Sequence, residues 1–207
     1  MIAATIGVGK AHARMARLAA DSAAEATGLD VHVLTEVPDD VRSPAMYKLR
    51  LVERYRQTVL FFDADVRFLR PWPAIESYDD REAFFASKHD PTAAVQRDCT
   101  KNDLDQARYF YSGLWIANER HLAMFAEADR LGSSPNYRTE FAYEMTALNM
   151  AAQRQGVVVQ FLAPHLHAVC DPAVDLPADP VCLHIAGRSL QGINRAIFER
   201  ELFRHGH

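Results

Sequence analysis

Hydrophobic and polar positions along the chain switch between the periods of strands and of helices. Ile2 to Ile6 form a short apolar run, Gly7-Val8-Gly9 a turn, and the Ala-rich stretch to Thr27 a helix that Gly28 closes before the apolar Val31-His32-Val33-Leu34. A β-α-β opening follows. Ser43-Pro44 joins a cap to a first-turn proline, and Met46, Leu49, Leu51, Val52 and Tyr55 give the helix after it an apolar side. Thr58-Val59-Leu60-Phe61-Phe62 is β-branched and aromatic without alternation, as suits a central strand buried on both faces. Further strands are expected at Ala83-Phe84-Phe85-Ala86, from Phe110 to Ile116, from Val157 to Phe161 and at Val181-Cys182-Leu183-His184. Helices are expected from the cap Asn118 through Leu131, from about Glu140 to Arg154, and, as an amphipathic tail, from Ile193 to Phe203. Gly132 to Asn136 reads as a loop, and the Pro/His/Asp-rich stretch to Pro180 as a meander. The pattern is that of an α/β protein.

Composition narrows the class. A chain of 207 residues is long enough for one domain around one core, and no repeat or low-complexity segment divides it. Lys and Arg number 23 against 27 Asp and Glu, a net charge of −4, so no cationic excess is available to hold a nucleic-acid backbone. Cys99, Cys170 and Cys182 lack the spacing of a disulfide framework or a zinc site, which points to a reducing, cytoplasmic setting. The apolar N-terminus is too short for a signal-peptide core, and no stretch approaches the ~20 apolar residues of a membrane span.

The chemistry concentrates at Phe62-Asp63-Ala64-Asp65-Val66. Carboxylates at i and i+2 of an extended segment project to one side, and these sit at the carboxyl end of a buried strand, where open α/β sheets bind ligands. Hard oxygen ligands in an open site favour Mg²⁺ or Mn²⁺, whose remaining positions go to water and substrate phosphates. An Asp pair also ends many strands as a simple turn cap. His184, at another strand end, is a third ligand candidate, and imidazole suits Mn²⁺ better than Mg²⁺; a lone His there is also a common structural residue. His165-x-His167 and His205-Gly206-His207 read as solvated loop and terminal histidines, and Trp72 and Trp115 as core residues rather than sugar platforms. Gly7-Val8-Gly9-Lys10-Ala11 fits neither a P-loop nor a dinucleotide fingerprint.

Tyr47-Lys48-Leu49, Tyr55, Val59 to Asp65, Tyr111-Ser112-Gly113, Ala147-Leu148-Asn149 and His184-Ile185-Ala186-Gly187 occur in an order that resembles family-eight glycosyltransferases. These are the glycogenin-like and lipopolysaccharide-galactosyltransferase-like enzymes of the GT-A fold. The resemblance runs from Ile2 to about Gly187. It implies a single GT-A-like domain over residues 1–207, with a mixed, mostly parallel central sheet flanked by helices: a nucleotide-sugar-binding core of about 1–190 and a tail helix of about 191–204. It further implies a metal-dependent, retaining hexosyltransferase using a nucleotide diphosphate sugar, UDP-glucose or UDP-galactose, with Mn²⁺ or Mg²⁺. Asp63, Asp65 and His184 then correspond to metal ligands, and Asp63 and Ala64 also border the donor. Lys48 corresponds to the lysine that contacts the donor diphosphate or sugar, and Thr5, Ile6 and Gly7 to the uracil pocket. Ser112 and Gly113 correspond to the donor-sugar pocket, Gly187 to the diphosphate loop, and Glu144 to the catalytic acidic residue. The acceptor is a glycan, a lipid-linked sugar or a protein, contacted by a few loops, the tail helix or a second subunit of a homo-oligomer.

Several positions depart from the family pattern. Glu144 and Met145 stand for Asp and Gln, Leu190 for a lysine, Tyr111 for an asparagine and Lys10 for an aromatic residue of the base pocket. A nucleotide-sugar-binding protein with little turnover is therefore one rival reading. A haloacid-dehalogenase-type phosphatase is the other, although it carries its Asp pair on the first strand and lacks an arginine where Arg67 stands.

Overall fold

A computed structural model describes residues 1–89, 92–135, 137, 139, 143–169 and 176–185. Gly187, Leu190, Cys170, the terminal histidines and the expected tail helix lie outside these residues.

β1 (Ile2–Ile6), α1 (Lys10–Thr27) and β2 (Val31–Leu34) form the expected β-α-β unit. Gly28 ends α1 in the left-handed region at φ 69°, its N–H donating to the Ala24 carbonyl. The buried face of α1 is nearly all alanine (Ala16, Ala19, Ala20, Ala23), so the helix lies close to the sheet. The single helix expected after Ser43 is broken instead. Ser43 caps α2 (Pro44–Tyr47), a 3₁₀ turn carries Lys48–Arg50, and α3 is Leu51–Tyr55. β3 (Val59–Phe62) is buried along its whole length, as its composition predicts.

Beyond Asp65 the chain forms β4 (Val66–Phe68), β5 (Phe84–Lys88), α4 (Ala93–Asn102) and β6 (Phe110–Ala117). Asn118 caps a 3₁₀ turn that leads into α5 (Leu122–Ser133), and α6 is described from Tyr143 to Arg154. α5 continues past Gly132, where a loop was expected, because the glycine packs against Met46 and its carbonyl accepts from Arg42 and Tyr143. β7 (Val159–Phe161), β8 (Ala168–Val169) and β9 (Cys182–His184) complete the described strands.

The main sheet has the order β2-β1-β3-β6-β5-β7, and β6 alone among these strands runs against the others. It is thus mixed and mostly parallel. β4, β9 and β8 make a second, small sheet. Successive β3 residues serve opposite sides: Val59 and Phe61 join a core with Trp115, Phe125 and Leu148, while Leu60 and Phe62 join one with Phe68, Trp72 and Leu114. Both tryptophans are core residues, as expected. Among the described residues no helix is long and apolar enough to cross a membrane.

Candidate active site

Strand register sets the stage. Ala4 pairs with Phe61, so Ile6 and Asp63, two residues further along parallel β1 and β3, leave the sheet at the same level. β6 supplies the facing wall by breaking from β5. Ala86 pairs with Trp115, but the next β5 residue, Ser87, pairs with Tyr111, so Ser112, Gly113 and Leu114 bulge away from β5. They stay with β3: Leu114 pairs with Phe62, and Asp63 N–H donates to the Gly113 carbonyl at 2.8 Å.

His184 arrives from the small sheet. It pairs with Val66, and Ile185 N–H donates to the Asp65 carbonyl at 3.2 Å, tying the end of β9 to the Asp63-Ala64-Asp65 turn. Arg67 pins the same turn from beneath, donating to the carbonyls of Ala64 at 3.1 Å and Val66 at 2.8 Å. Burial lowers its guanidinium to about 10, still charged at neutral pH. As a result His184 Nε2 lies 3.1 Å from Asp65 Oδ1 and 4.0 Å from Asp63 Oδ2, and one ligand atom from each of the three residues fits within 4.8 Å of the others. Gly113 forms the floor. A Cβ there would overlap the His184 ring, stand 2.6 Å from Tyr111 Cε1 and 2.8 Å from Asp63 Oδ2, so only glycine fits without displacing a ligand.

Lys48 and Glu144 complete the cleft. The Lys48 ammonium, 2% exposed, lies 3.0 Å from Glu144 Oε1 and 3.4 Å from Asp63 Oδ1, and it donates to the Ser112 carbonyl and hydroxyl at 3.3 and 3.4 Å. Ser112 Oγ in turn donates to Glu144 at 3.2 Å. Glu144 stands on the first turn of α6, whose position is fixed by Asn149. The buried Asn149 amide accepts from Phe110 N–H and donates to the Phe110 and Met145 carbonyls, each at 2.9 Å. Met145 points elsewhere, into an apolar cluster with Val95, Cys99 and Tyr109 that α4 covers.

The electrostatics are those of a crowded acidic site. Burial opposes charge on Lys48, but Asp63 and Glu144 outweigh it and push the ammonium up to about 12. Removal from water, which Lys48 only partly offsets, and the neighbouring Asp65 raise the Asp63 carboxyl to about 6. Burial also acts to raise Asp65 and Glu144, yet His184 holds the first, and Lys48 the second, below the ordinary value. Asp63, Asp65 and Glu144 outnumber Lys48 and the neighbouring Arg67, so the cleft keeps a net negative charge. A divalent cation complements that charge, and two carboxylates with one imidazole are a donor set suited to Mn²⁺ or Mg²⁺. The residues present fit such an ion.

The structure thus brings together Asp63, Ala64, Asp65, His184, Lys48, Ser112, Gly113 and Glu144. Thr5, Ile6 and Gly7 lie one strand over, at the end of β1. Thr5 is fully buried, and its Oγ1 has no hydrogen-bond partner among the described residues. One expectation fails: His167 is not a solvated loop histidine. It is 4% exposed, with Nε2 3.1 Å from His184 Nδ1 and Nδ1 2.6 Å from Ser87 Oγ. Burial, and then His184, hold it far below the usual histidine range, hence neutral. No local pattern separates it from the exposed His165, because its partners Ser87 and His184 come from other strands.

No protein-family model and no curated protein sequence matches the chain. Solved structures do. The galactosyltransferase LgtC, in complex with donor and acceptor sugar analogues, is similar at 15% identity over 99% of this chain and 95% of its own, with a TM-score of 0.68. A glycosyltransferase involved in glycosylation of the major capsid of PBCV-1 is similar at 12% identity over 99% of this chain and 100% of its own, with a TM-score of 0.63. The bifunctional glycosyltransferase WbbM is similar at 13% identity over 91% of this chain, which spans 46% of that protein, with a TM-score of 0.68. These likenesses show the fold: the chain has the GT-A-like α/β architecture of glycosyltransferases.

Proposed function

We propose that the chain is a family-eight type of glycosyltransferase that moves a hexose from a UDP-linked donor to an acceptor hydroxyl with retention of anomeric configuration. The observation that carries this reading is the convergence of Asp63, Asp65 and His184 with the Lys48–Glu144 ion pair in one cleft at the strand ends of a GT-A-like sheet. Asp63, Asp65 and His184 would hold Mn²⁺ or Mg²⁺, which when bound neutralises charge on the departing diphosphate.

This chain's own residues supply the rest. Breaking the anomeric C–O bond leaves negative charge on the diphosphate and positive charge on the sugar. Lys48, kept charged by its two carboxylates, adds a fixed cation on the diphosphate side. Glu144, kept ionised by Lys48 and Ser112, offers a carboxylate to the positive anomeric carbon. The rival phosphatase reading loses ground, because the Asp pair follows the third strand and β6 runs antiparallel beside it.

Calorimetry with UDP, with and without Mn²⁺, tests the site. UDP affinity is expected to depend on the metal and to collapse in Asp65→Ala; affinity indifferent to both would overturn the proposal. Release of UDP from UDP-glucose and UDP-galactose is expected in the unmodified protein and to fail in Glu144→Ala while UDP still binds. Phosphate release without a sugar donor would favour a phosphatase instead.

A further inference from the structure

A row of buried polar groups stands directly behind the candidate metal ligand. Ser87 Oγ lies 2.6 Å from His167 Nδ1, and His167 Nε2 lies 3.1 Å from His184 Nδ1. All three side chains are almost wholly enclosed, at 5%, 4% and 1% exposure. They come from β5, from the residue before β8 and from the end of β9, so the row crosses from one sheet to the other. Two imidazoles at this distance share one proton, because two facing N–H groups would repel and two facing lone pairs would leave both nitrogens unsatisfied.

The direction of that sharing decides what His184 can do. Its Nε2 faces the carboxylates, 3.1 Å from Asp65 Oδ1. A proton on Nε2 would satisfy Asp65 but remove the lone pair a cation needs. A proton on Nδ1 leaves Nε2 free to bind metal, provided that something buried accepts it. His167 Nε2 is that acceptor when the His167 proton sits on Nδ1, and Ser87 Oγ is placed to receive it. One arrangement therefore satisfies both nitrogens of His167 and Nδ1 of His184, and leaves the His184 Nε2 lone pair for a cation.

We propose that His167, backed by Ser87, is a positioning residue that holds His184 as its Nδ1–H tautomer and turns the Nε2 lone pair toward the Asp63 and Asp65 carboxylates. The inference rests on the divalent-cation reading of that cluster. Tyr111 supports it sterically: its ring meets His184 edge-on at 5.0 Å and lies 6.0 Å from His167, which limits rotation of both imidazoles. Partners of this kind behind a ligating histidine set its tautomer and orientation and raise its basicity.

Calorimetric titration with Mn²⁺ tests the role without using turnover. His167→Phe keeps a ring of similar size but removes the acceptor, and it is expected to weaken Mn²⁺ binding about 10- to 100-fold. His167→Gln places an amide oxygen where Nε2 stood, and it is expected to recover most of that loss. Equal Mn²⁺ affinity in His167→Phe and the unmodified protein, or no recovery in His167→Gln, would overturn the relay. Should the unmodified protein take up no Mn²⁺, or Asp65→Ala bind it equally well, the metal reading itself would fall, and the relay with it. A second measurement needs no variant. With Zn²⁺ as a diamagnetic occupant, nitrogen-15 spectra of ring-labelled histidine are expected to show His184 and His167 both protonated at Nδ1, and an Nε2 proton on His167 would overturn the proposal.

Discussion

Asp63 is the most heavily contested side chain in the cleft. Lys48 and His184 favour its charge, while removal from water and the nearby Asp65 and Glu144 oppose it, and the balance raises its carboxyl from 3.8 to about 6. The folded protein therefore holds a proton between about pH 4 and 6 that the unfolded chain has released, and this group's contribution makes the fold less stable as pH rises across that window. The expected outcome, without metal, is a decline in stability through that range that Asp63→Asn removes, measured by urea unfolding at a series of pH values. The same proton must leave before a cation enters, so Mn²⁺ affinity is expected to climb until about pH 6 and then level off. At this scale the sequence was informative wherever neighbours in the chain act together, as in Asp63-Ala64-Asp65. It was silent on His167, whose partners Ser87 and His184 are 80 and 17 residues away and are met only through strand pairing.

Elements matter through how firmly they hold such residues. Asn149 substitutes for a neighbouring strand: one amide satisfies both backbone groups of Phe110 and so fastens α6 to the start of β6. Asn149→Asp retains the shape but sets a carboxylate oxygen against the Phe110 carbonyl. Its expected cost is about 2–3 kcal/mol, read from the shift in urea midpoint, because the lost donor leaves buried carbonyls unpaired. Several elements were legible in the sequence for different physical reasons: α1 is long enough to show a helical pattern, while β1, β3 and β6 stand out as apolar, β-branched or aromatic runs. β4 and β8, of three and two residues, are too short to show any period. α4 went unseen for another reason: its apolar residues serve only a small cluster around Tyr109 and Met145. That cluster also explains Met145 itself, an apolar residue where the resemblance leads one to expect an amide.

For the molecule as a whole, the Asp63-Ala64-Asp65 turn is the seam between the two sheets, with β3 on one side and β4 on the other. His184 reaches the seam from the small sheet, so an ion held there would bridge both bodies of structure. Binding to the folded state alone at a hundred times the dissociation constant stabilises by about 2.7 kcal/mol. For a chain of this length that corresponds to a rise of about 5–10 °C in Tm. The rise is expected in thermal melts with Mn²⁺ and is expected to vanish in Asp65→Ala.

Lys48 gives the cleft a counterion of its own. Buried acids crowded together repel one another, yet this ammonium belongs to the chain itself and pairs with both Asp63 and Glu144. It balances part of the acidic charge of the cleft without any bound ion. The folded shape is therefore expected to form without a divalent cation, which circular dichroism of the protein in excess chelator checks.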